Sequence, residues 1–599
     1  MTIGAEHDGV SDINRTIVVE APSLTTPAGL DAIATLNKRR RVVLFLNLAT
    51  WLLIVLVAGV IFTSGGWTVV GITMVICLAL GAPWPVLGFW NAVIGLWQLH
   101  GTRRKTHAEP YYETKGDQSP LTVNTAVLMT LRNEDPARAL LRLKTVKASL
   151  DRMAEAGRFS YFVLSDSDQG EIIQREEAEV AAWKQADPDP DRIIYRRRIG
   201  NSGFKAGNVR EFALRWGSNY EFMLPLDADS LMTGEAIVTL VRIMEKHPRI
   251  GILQSLVVGT PSSSAFARIF QFGMRLGMRT YTMGQAWWVG DCGPFWGHNA
   301  LVRVAPFVEH CAMKGLLKSE TILSHDQVEA VLMRKAGYEV RVLPVETGSY
   351  EDNPPDALEF MRRDARWCQG NMQYLRLIGM PGIEPVSRFQ LIWAILMFLG
   401  VPAWTLLAAI LPLAVLSAER QNDFPWFAVE TIYGLLLLMH LAPKLAGIAD
   451  AILTPGEINR FGGRLRFASS AIIEILFSLV LGAVTTIRTS IFMFGLLFGR
   501  TIVWNGQRRD GGGVTWGDAL RWLWPQLLFG VLLYVAIALV SPAALLWSLP
   551  LTAGYGLAVP FVVFTASPAV GRFFRRHGIA GIPEDFAPPA EIRAVQAGS

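Results

Sequence analysis

The stretch YEFMLPLDADS, residues 220–230, decides the fold of the central part of this chain. Its apolar run ends in two carboxylates, which predicts a buried strand whose carboxyl end carries Asp227 and Asp229 into a crevice. Residues at positions i and i+2 of an extended segment share a face. Two carboxylates at that spacing suit a hard divalent cation, Mg²⁺ or Mn²⁺, which usually binds together with a substrate diphosphate. The alternative is a structural strand followed by an Asp/Ser turn.

Hydropathy separates a central aqueous part of the chain from two apolar flanks. Hydrophobic residues make up 51% of the 599 residues and charged residues 18%, a balance that is too apolar for an ordinary soluble enzyme and too charged for a bare transporter. The net charge of +5 is diffuse, and its basic clusters flank apolar stretches, which indicates membrane orientation rather than nucleic-acid binding. The four cysteines have no metal-binding or redox spacing, so no disulfide framework is expected.

Five segments follow from this pattern. We expect a cytoplasmic tail at 1–40 without a signal peptide, two transmembrane helices at 41–100, a cytosolic α/β domain with interfacial helices at 101–386, five or six transmembrane helices at 387–570 with a cytosolic loop near 500–522, and a cytoplasmic tail at 571–599. Basic residues at 38–41 and 103–105 predict that the N-terminal tail and the central domain are cytoplasmic, and basic residues at 572–576 predict the same for the C-terminus. Between 467 and 499 we expect either a tilted hairpin or a re-entrant or interfacial helix, which gives about seven or eight crossings in all.

Strands alternate with amphipathic helices through the central domain, which predicts a mostly parallel sheet with ligands at the carboxyl ends of the strands. Asn133 and Glu134 follow the first strand, where they would meet a base or a ribose, unless they form a solvated turn. Asp166 and Asp168 follow the second strand and would accept hydrogen bonds from a uracil or ribose, unless they form an Asx turn. Lys205 lies in the stretch GFKAGN, where glycine lets the backbone approach a phosphate and lysine supplies a charge; a plain helix start is the alternative.

Two later clusters carry groups suited to proton transfer and anion binding. Asp326, in the stretch SHDQ, opens a helical segment, where it either caps the helix or acts as a general base on an acceptor hydroxyl. Arg366 would hold a diphosphate leaving group, since guanidinium matches phosphate oxygens. The flat face of Trp367 would stack on a sugar acceptor. The alternative is an amphipathic helix on the membrane surface, and the two interpretations are compatible.

The stretch WWVGDCGPFWGHN, residues 287–299, is rich in tryptophan, glycine and polar residues. Such a loop suits carbohydrate binding by stacking and hydrogen bonds, which makes Trp296, His298 and Asn299 candidates for acceptor binding. A core of buried tryptophans is the alternative.

The order of these motifs resembles that of membrane-embedded, processive family-2 glycosyltransferases of the cellulose synthase type, over about residues 120–380 and the flanking spans. The resemblance implies a GT-A, Rossmann-like cytosolic α/β domain inserted in a polytopic α-helical membrane domain. It also implies that Asp227 and Asp229 bind a divalent metal and the nucleotide diphosphate, and that Asp326 is the general base. The Gln-x-x-Arg-Trp motif of that family falls on residues 363–367, with Arg363 in the Gln place.

Two departures argue against a cellulose synthase itself, namely Arg363 and the replacement of Thr-Glu by Ser324-His325. The segments SHDQ, RWCQGN and DCGPFWGHN resemble the glucans biosynthesis glucosyltransferase H family. This resemblance implies a processive inverting glucosyltransferase of the bacterial inner membrane. Such an enzyme makes the linear, β-1,2-linked backbone of osmoregulated periplasmic glucans from UDP-glucose and translocates it.

The same resemblance implies Mg²⁺ or Mn²⁺ as the cofactor. The implied partners are UDP-glucose, the growing glucan chain, the lipid bilayer, a periplasmic glucan-processing partner and a primer carrier protein, and no nucleic acid. Trp504, Gln507 and Arg508 lie where the related cellulose enzymes have a gating loop. Another β-glucan synthase, a transferase to a lipid carrier, and a transporter or scaffold that only senses a nucleotide sugar remain alternatives.

Overall fold

The centre of the molecule is an eight-stranded sheet, which in the computed structural model has the strand order β3-β2-β1-β4-β7-β6-β8-β5. The structure describes residues 27–101, 117–317, 321–502 and 512–598. The strands are β1 (Thr125–Leu131), β2 (Phe159–Ser165), β3 (Ile193–Arg197), β4 (Phe222–Leu226), β5 (Leu231–Met232), β6 (Ile250–Gly259), β7 (Ala300–Arg303) and β8 (Glu339–Glu351). Only β5 and β7 run antiparallel to their neighbours, so the predicted mostly parallel sheet is confirmed.

The register of the parallel strands brings three polar strand ends to one edge of the sheet. Leu131 of β1 pairs with Ser165 of β2, and Met129 of β1 pairs with Leu226 of β4. These three strands are apolar and buried along almost their whole length, as in parallel sheets that are covered on both faces. The polar residues that follow each strand therefore meet in one crevice.

Helices cover both faces of the sheet and build the membrane part. In chain order they are α1 (Pro27–Phe62), α2 (Val69–Gly81), α3 (Pro83–Leu96), α4 (Pro136–Leu150), α5 (Gly170–Ala186), α6 (Phe204–Trp216), α7 (Gly234–Lys246), α8 (Ala265–Val289), α9 (Val304–His310), α10 (His325–Lys335), α11 (Ala357–Gln373), α12 (Pro385–Glu419), α13 (Trp426–Leu453), α14 (Glu457–Arg460), α15 (Arg464–Leu497), α16 (Trp516–Val540), α17 (Pro542–Ala566), α18 (Pro568–His577), α19 (Pro583–Phe586) and α20 (Ala590–Gly598). Apolar residues of α4 and α7 form the core on one face, and those of α6, α9 and α10 form the core on the other.

Six of the described helices are long and apolar enough to span a membrane, namely α1, α12, α13, α15, α16 and α17. The number is seven if α2 and α3, which are bent by 41° at their junction, are counted as one broken span. The protein is therefore a multi-pass membrane protein whose sheet domain lies between α3 and α12 in the chain.

The hairpin considered between residues 467 and 499 is wrong, because α15 is one continuous helix of 34 residues. Arg488, the charge that suggested an interruption, stays within this helix. Its guanidinium lies 4.1 Å from the ring centre of Trp522 and donates a hydrogen bond to the Trp522 carbonyl oxygen at 3.2 Å. Stacking on tryptophan and a backbone acceptor stabilise a cation in apolar surroundings, so no break in the helix is needed.

Both ends of α15 lie on the side of the helix bundle that faces the sheet domain. Near its start, Ser470 accepts a hydrogen bond from the Ala580 backbone N–H at 2.8 Å, and Ala580 belongs to the C-terminal segment that packs on α8. Beyond its end, the Ile502 backbone N–H donates to the Gln369 side chain of α11 at 2.8 Å. Residues near both ends of α15 therefore contact segments that belong to or pack on the sheet domain.

Helix α8 joins the sheet domain to the membrane helices through a close contact with α3. A Cβ atom on Gly95 would lie 1.8 Å from the Thr280 carbonyl oxygen, and one on Gly284 would lie 1.9 Å from the Asn91 carbonyl oxygen. Only glycine permits two helix backbones to approach to this distance. Any side chain at either position would force α3 and α8 apart.

We expect Gly95→Val and Gly284→Val each to lower the midpoint of thermal unfolding in detergent by about 5 °C or more, because overpacking of a tight contact is destabilising. Gly434→Val is the matched control, since a Cβ atom at Gly434 of α13 meets nothing within 4 Å. The midpoint of thermal unfolding of each of the three variants is measured by tryptophan fluorescence. Equal midpoints for the three variants would contradict the close approach of α3 and α8.

Candidate active site

A cavity of about 420 Å³ opens at the carboxyl ends of β1, β2 and β4. Its wall includes most of the residues that the sequence predicts for the site: Glu134, Asp166, Lys205, Asp227, Asp229, Trp296, His298, Asp326, Arg366 and Trp367. They come from loops after three strands, from the loop before β7, from the first turns of α6 and α10, and from α11. The fold therefore assembles into one space groups that are distant in the sequence.

Lys205 and Asp227 form the charged centre of this cavity. Helix α6 begins at Phe204, directly after Gly203, whose positive φ of 71° requires the left-handed conformation that glycine adopts without strain. This turn brings the Lys205 ammonium group into an ion pair with the Asp227 carboxylate. A lysine at the start of a helix, where the backbone dipoles also favour anions, suits the binding of a phosphate group.

Asp227 and Asp229 fit a divalent metal whose coordination is completed by another molecule. In the described ranges there is no group of three or more His, Cys, Asp or Glu side chains arranged to hold a metal ion. Mg²⁺ is usually bound by one or two carboxylates together with water and substrate phosphates. Two carboxylates on the wall of a roomy, partly cationic cavity match that donor set.

Asp166 is held by an arginine that the sequence analysis missed. The guanidinium of Arg198 forms a two-point ion pair with Asp166, with 2.8 Å between Nη2 and Oδ2. Arg198 Nη2 also donates to the Phe204 carbonyl oxygen at 2.7 Å. Asp166 thus connects the end of β2 to the turn that carries Lys205. The run of three arginines at 196–198 was the available signal.

For Asn133 and Asp168 the structure supports the turn alternative. Neither residue is part of the cavity wall. Asn133 has a φ of 52°, its backbone N–H donates to Ser167 Oγ at 2.8 Å, and its Nδ2 donates to Asp168 Oδ1 at 2.8 Å. The Asp168 side chain is 66% exposed. These two residues close the loops after β1 and β2 rather than reach toward a ligand in the cavity.

The acceptor-binding prediction for Asn299 is wrong, because this side chain is fully buried. Its Nδ2 donates to Ser349 Oγ at 2.9 Å and to the Tyr350 carbonyl oxygen at 3.1 Å, both in β8. Its backbone N–H donates to the Pro225 carbonyl oxygen of β4 at 2.9 Å. Asn299 therefore fixes the loop whose side chains at 296 and 298 line the cavity.

Asp326 lies beside the charged centre and is positioned by α11. A Cβ atom on Gly297 would lie 3.8 Å from both Asp326 Oδ2 and Lys205 Nζ, so the two groups flank one point. The loop before Asp326 is tied to the end of α11, because the Tyr374 hydroxyl donates to the Ser324 carbonyl oxygen at 2.8 Å. A carboxylate in the first turn of α10 is also favoured by the helix dipole.

Trp367 faces the cavity from α11 and is 45% exposed. The Arg363 guanidinium lies 4.6 Å from the ring centre of Trp367, which holds the indole by a cation–π contact. Arg363, which occupies the position of glutamine in the Gln-x-x-Arg-Trp motif, thus holds the ring of Trp367 in place.

Glu351, at the end of β8, is a wall residue that the sequence analysis did not identify. Burial raises the pKa of its carboxyl group, His298 and Arg363 oppose the rise, and Asp229 and Asp227 add to it. Glu351 therefore faces the Asp-x-Asp carboxylates. Its only sequence signal was an acidic pair at a strand end.

The predicted gating loop of Trp504, Gln507 and Arg508 lies outside the described residues. Ile502, which precedes it, belongs to the cavity wall.

Comparison with known proteins identifies the family to which the chain belongs. The model of Glycosyl transferase family 2 matches residues 127–310, and that of Glycosyl transferase family group 2 matches residues 222–442. Glucans biosynthesis glucosyltransferase H of Xanthomonas oryzae is 34% identical over 84% of this chain and 81% of its own. The proteins of that name from Xylella fastidiosa and Vibrio cholerae are 34% and 33% identical over 90% of this chain and 86% and 76% of their own. This chain belongs to the glucans biosynthesis glucosyltransferase H family.

The family assignment confirms a glycosyltransferase with a GT-A-like α/β domain in a membrane protein. Among solved structures, a mannosyltransferase from Pyrobaculum calidifontis in complex with GDP-Man and Mn²⁺ is 16% identical, with a TM-score of 0.38 over 64% of this chain and 99% of that chain. That similarity is too low to assign a donor or a metal to this family member.

We expect Gly370→Ala to lower kcat for sugar transfer by about 10- to 100-fold, because small displacements of a reacting group carry penalties of this size. A Cβ atom on Gly370 would lie 2.1 Å from Ser324 Oγ and would displace the loop before Asp326. Gly379→Ala, where a Cβ atom meets nothing within 4 Å, is the matched control. Unchanged kcat in Gly370→Ala, measured by the rate of sugar transfer, would show that α11 does not position Asp326.

Proposed function

We propose that this protein is a processive inverting glucosyltransferase that polymerises glucose from UDP-glucose into the linear, β-1,2-linked backbone of osmoregulated periplasmic glucans. The observation that carries the proposal is the single cavity in which Lys205, Asp227 and Asp326 meet Trp367 of α11. A lysine suited to phosphate binding, a candidate base and an exposed tryptophan in one space support the transfer of a sugar there. The names of the relatives supply the product class.

Asp227 and Asp229 would hold Mg²⁺ or Mn²⁺ together with the diphosphate of the donor. The metal, when bound, neutralises charge that develops on the leaving diphosphate, an effect worth several kcal/mol in the transition state. Lys205 and Arg366, both on the cavity wall, add cations that bind phosphate oxygens directly. Asp166 holds Arg198 and thereby keeps the start of α6, with Lys205, in place.

Asp326 is the group that takes the proton. A β-linked glucan from an α-linked donor requires one displacement with inversion. The acceptor hydroxyl attacks C1 of glucose, the bond from C1 to the diphosphate oxygen breaks, UDP leaves with the electron pair, and Asp326 accepts the hydroxyl proton. Trp367 holds the acceptor sugar by stacking, so that its hydroxyl is directed toward C1.

The membrane helices would carry the polymer out of the cytoplasm of a bacterial cell through the inner membrane. The two ends of the described chain both contact the sheet domain: Arg40 of α1 pairs with Asp291, and Glu591 of α20 pairs with Arg152 at 2.5 Å. Such contacts support a cytoplasmic position for both ends together with the sheet domain. The adjacent helix bundle then offers the nearest path for a polar chain that does not dissolve in lipid.

Purified protein in nanodiscs with Mg²⁺ and radiolabelled UDP-glucose tests the donor and the product. We expect a water-soluble glucan with β-1,2 linkages, identified by linkage analysis. A polymer with β-1,4 linkages would indicate a cellulose-type product, and label that is extracted with lipid would indicate a lipid carrier. Incorporation from a different nucleotide sugar, with none from UDP-glucose, would contradict the proposal.

We expect Asp326→Asn to lower glucose transfer by about 10²- to 10⁴-fold, the usual contribution of a general base, and to leave the Kd of UDP within about twofold. Asp135→Asn is the matched control, because Asp135 lies on the surface and pairs with Arg175 at 2.9 Å. Transfer assays and calorimetric titration with UDP separate catalysis from binding. Near-normal turnover of Asp326→Asn would exclude Asp326 as the base.

A further inference from the structure

A chain of hydrogen bonds runs from the end of β8 to the backbone of Asp227. Glu351 Oε2 lies 3.3 Å from His298 Nε2, and His298 Nδ1 lies 3.3 Å from Ser230 Oγ. Ser230 Oγ accepts a hydrogen bond from the Asp227 backbone N–H at 3.1 Å. This series of hydrogen bonds therefore ends on the turn that carries Asp227 and Asp229.

The turn is closed twice by Ser230. In addition to the side-chain contact, the Ser230 backbone N–H donates to the Asp227 carbonyl oxygen at 3.0 Å. On its other side, Arg142 Nη1 donates to the Asp229 carbonyl oxygen at 2.9 Å. Arg142 and Ser230 are both buried. The backbone between the two carboxylates is thus fixed from α4 and from β8, which sets the separation and direction of the two side chains.

His298 itself is held by a rigid support. Gln254 Nε2 donates to the His298 carbonyl oxygen at 3.1 Å, and Gln254 Oε1 accepts from the Trp296 backbone N–H at 2.8 Å. The buried Asn299 side chain joins the same loop to β8. The imidazole is only 13% exposed. It therefore has little freedom to turn toward an acceptor in the cavity.

The neighbours of the imidazole determine which nitrogen carries the proton. Glu351 is a carboxylate acceptor, so His298 Nε2 carries the hydrogen and donates it to Glu351. His298 Nδ1 is then an acceptor for the Ser230 hydroxyl hydrogen. Ser230 Oγ in turn keeps a lone pair for the Asp227 N–H. Each donor in this series of hydrogen bonds then faces one acceptor, and loss of Glu351 removes the preference for this tautomer.

We propose that Ser230, His298 and Glu351 are positioning residues that orient the Asp227–Ser230 turn for a divalent metal. The inference depends on the proposed function, in which that metal binds together with the donor diphosphate. His298 then acts through Ser230 and not by contact with the acceptor sugar, as the sequence alone suggested. Partners of this kind behind metal-binding side chains typically change metal affinity 10- to 100-fold when they are removed.

Binding of Mn²⁺ in the presence of UDP, followed by the electron paramagnetic resonance signal of free Mn²⁺, tests the proposal without turnover. We expect Ser230→Ala, His298→Ala and Glu351→Ala each to raise the Kd of Mn²⁺ about 10-fold. Glu351→Gln should restore most of the affinity, because its amide oxygen still accepts from Nε2. The double variant His298→Ala/Glu351→Ala should bind Mn²⁺ no more weakly than either single variant, because both substitutions interrupt the same series of hydrogen bonds.

His577→Ala is the matched control, since His577 is exposed on α18 and its Nδ1 donates a hydrogen bond to the Phe573 carbonyl oxygen at 2.8 Å. Unchanged Mn²⁺ affinity in His298→Ala and Glu351→Ala would overturn the proposal. A raised KM of His298→Ala for an oligosaccharide acceptor, with unchanged Mn²⁺ affinity, would also overturn the proposal. It would show that His298 binds the acceptor. Failure of the unmodified protein to bind Mn²⁺ with UDP would instead contradict the proposed function. Thermal unfolding of each variant distinguishes loss of folding from loss of the metal.

Discussion

The position of α11 between the cavity and the membrane helices is the constraint on which the rest of the structure depends. One face of this helix presents Trp367 to the cavity. Asn371 Nδ2 on the same helix donates to the Ala394 carbonyl oxygen of α12 at 3.2 Å, and Gln369 accepts from Ile502 after α15. Because Tyr374 also holds the loop before Asp326, the side chains of Trp367 and Asp326 and the membrane helices share one support.

The cavity combines carboxylates and cations whose charges are mutually compensated in the protein alone. Lys205 pairs with Asp227, and Arg198 pairs with Asp166. Paired groups cost less to hold in a partly buried space than isolated charges. A metal with a diphosphate brings charges of both signs, so it can exchange partners with these pairs without leaving one charge uncompensated.

The sequence predicts a site residue correctly where neighbouring residues in the chain determine its position. Asp227 follows an uninterrupted apolar run, and a parallel strand then has its carboxyl end in a crevice. Prediction fails where a partner comes from a distant segment: Glu351 at the end of β8 lies 3.3 Å from His298 in the loop before β7, a proximity that only the folded sheet creates. Asn299 looked like a polar loop residue but is buried between two strands. Arg488 looked like a break in a span, because the tryptophan that stabilises it, Trp522, lies on another helix.

The most direct test of the central claim, that one cavity holds donor and acceptor together, is an electron cryomicroscopy structure of the protein in nanodiscs with UDP, Mn²⁺ and a short β-glucan. The account predicts the metal and diphosphate at Asp227 and Asp229. It predicts the terminal sugar of the glucan on Trp367, with a hydroxyl group within hydrogen-bonding distance of Asp326. A glucan bound away from α11, or a diphosphate away from the Asp-x-Asp turn, would contradict it.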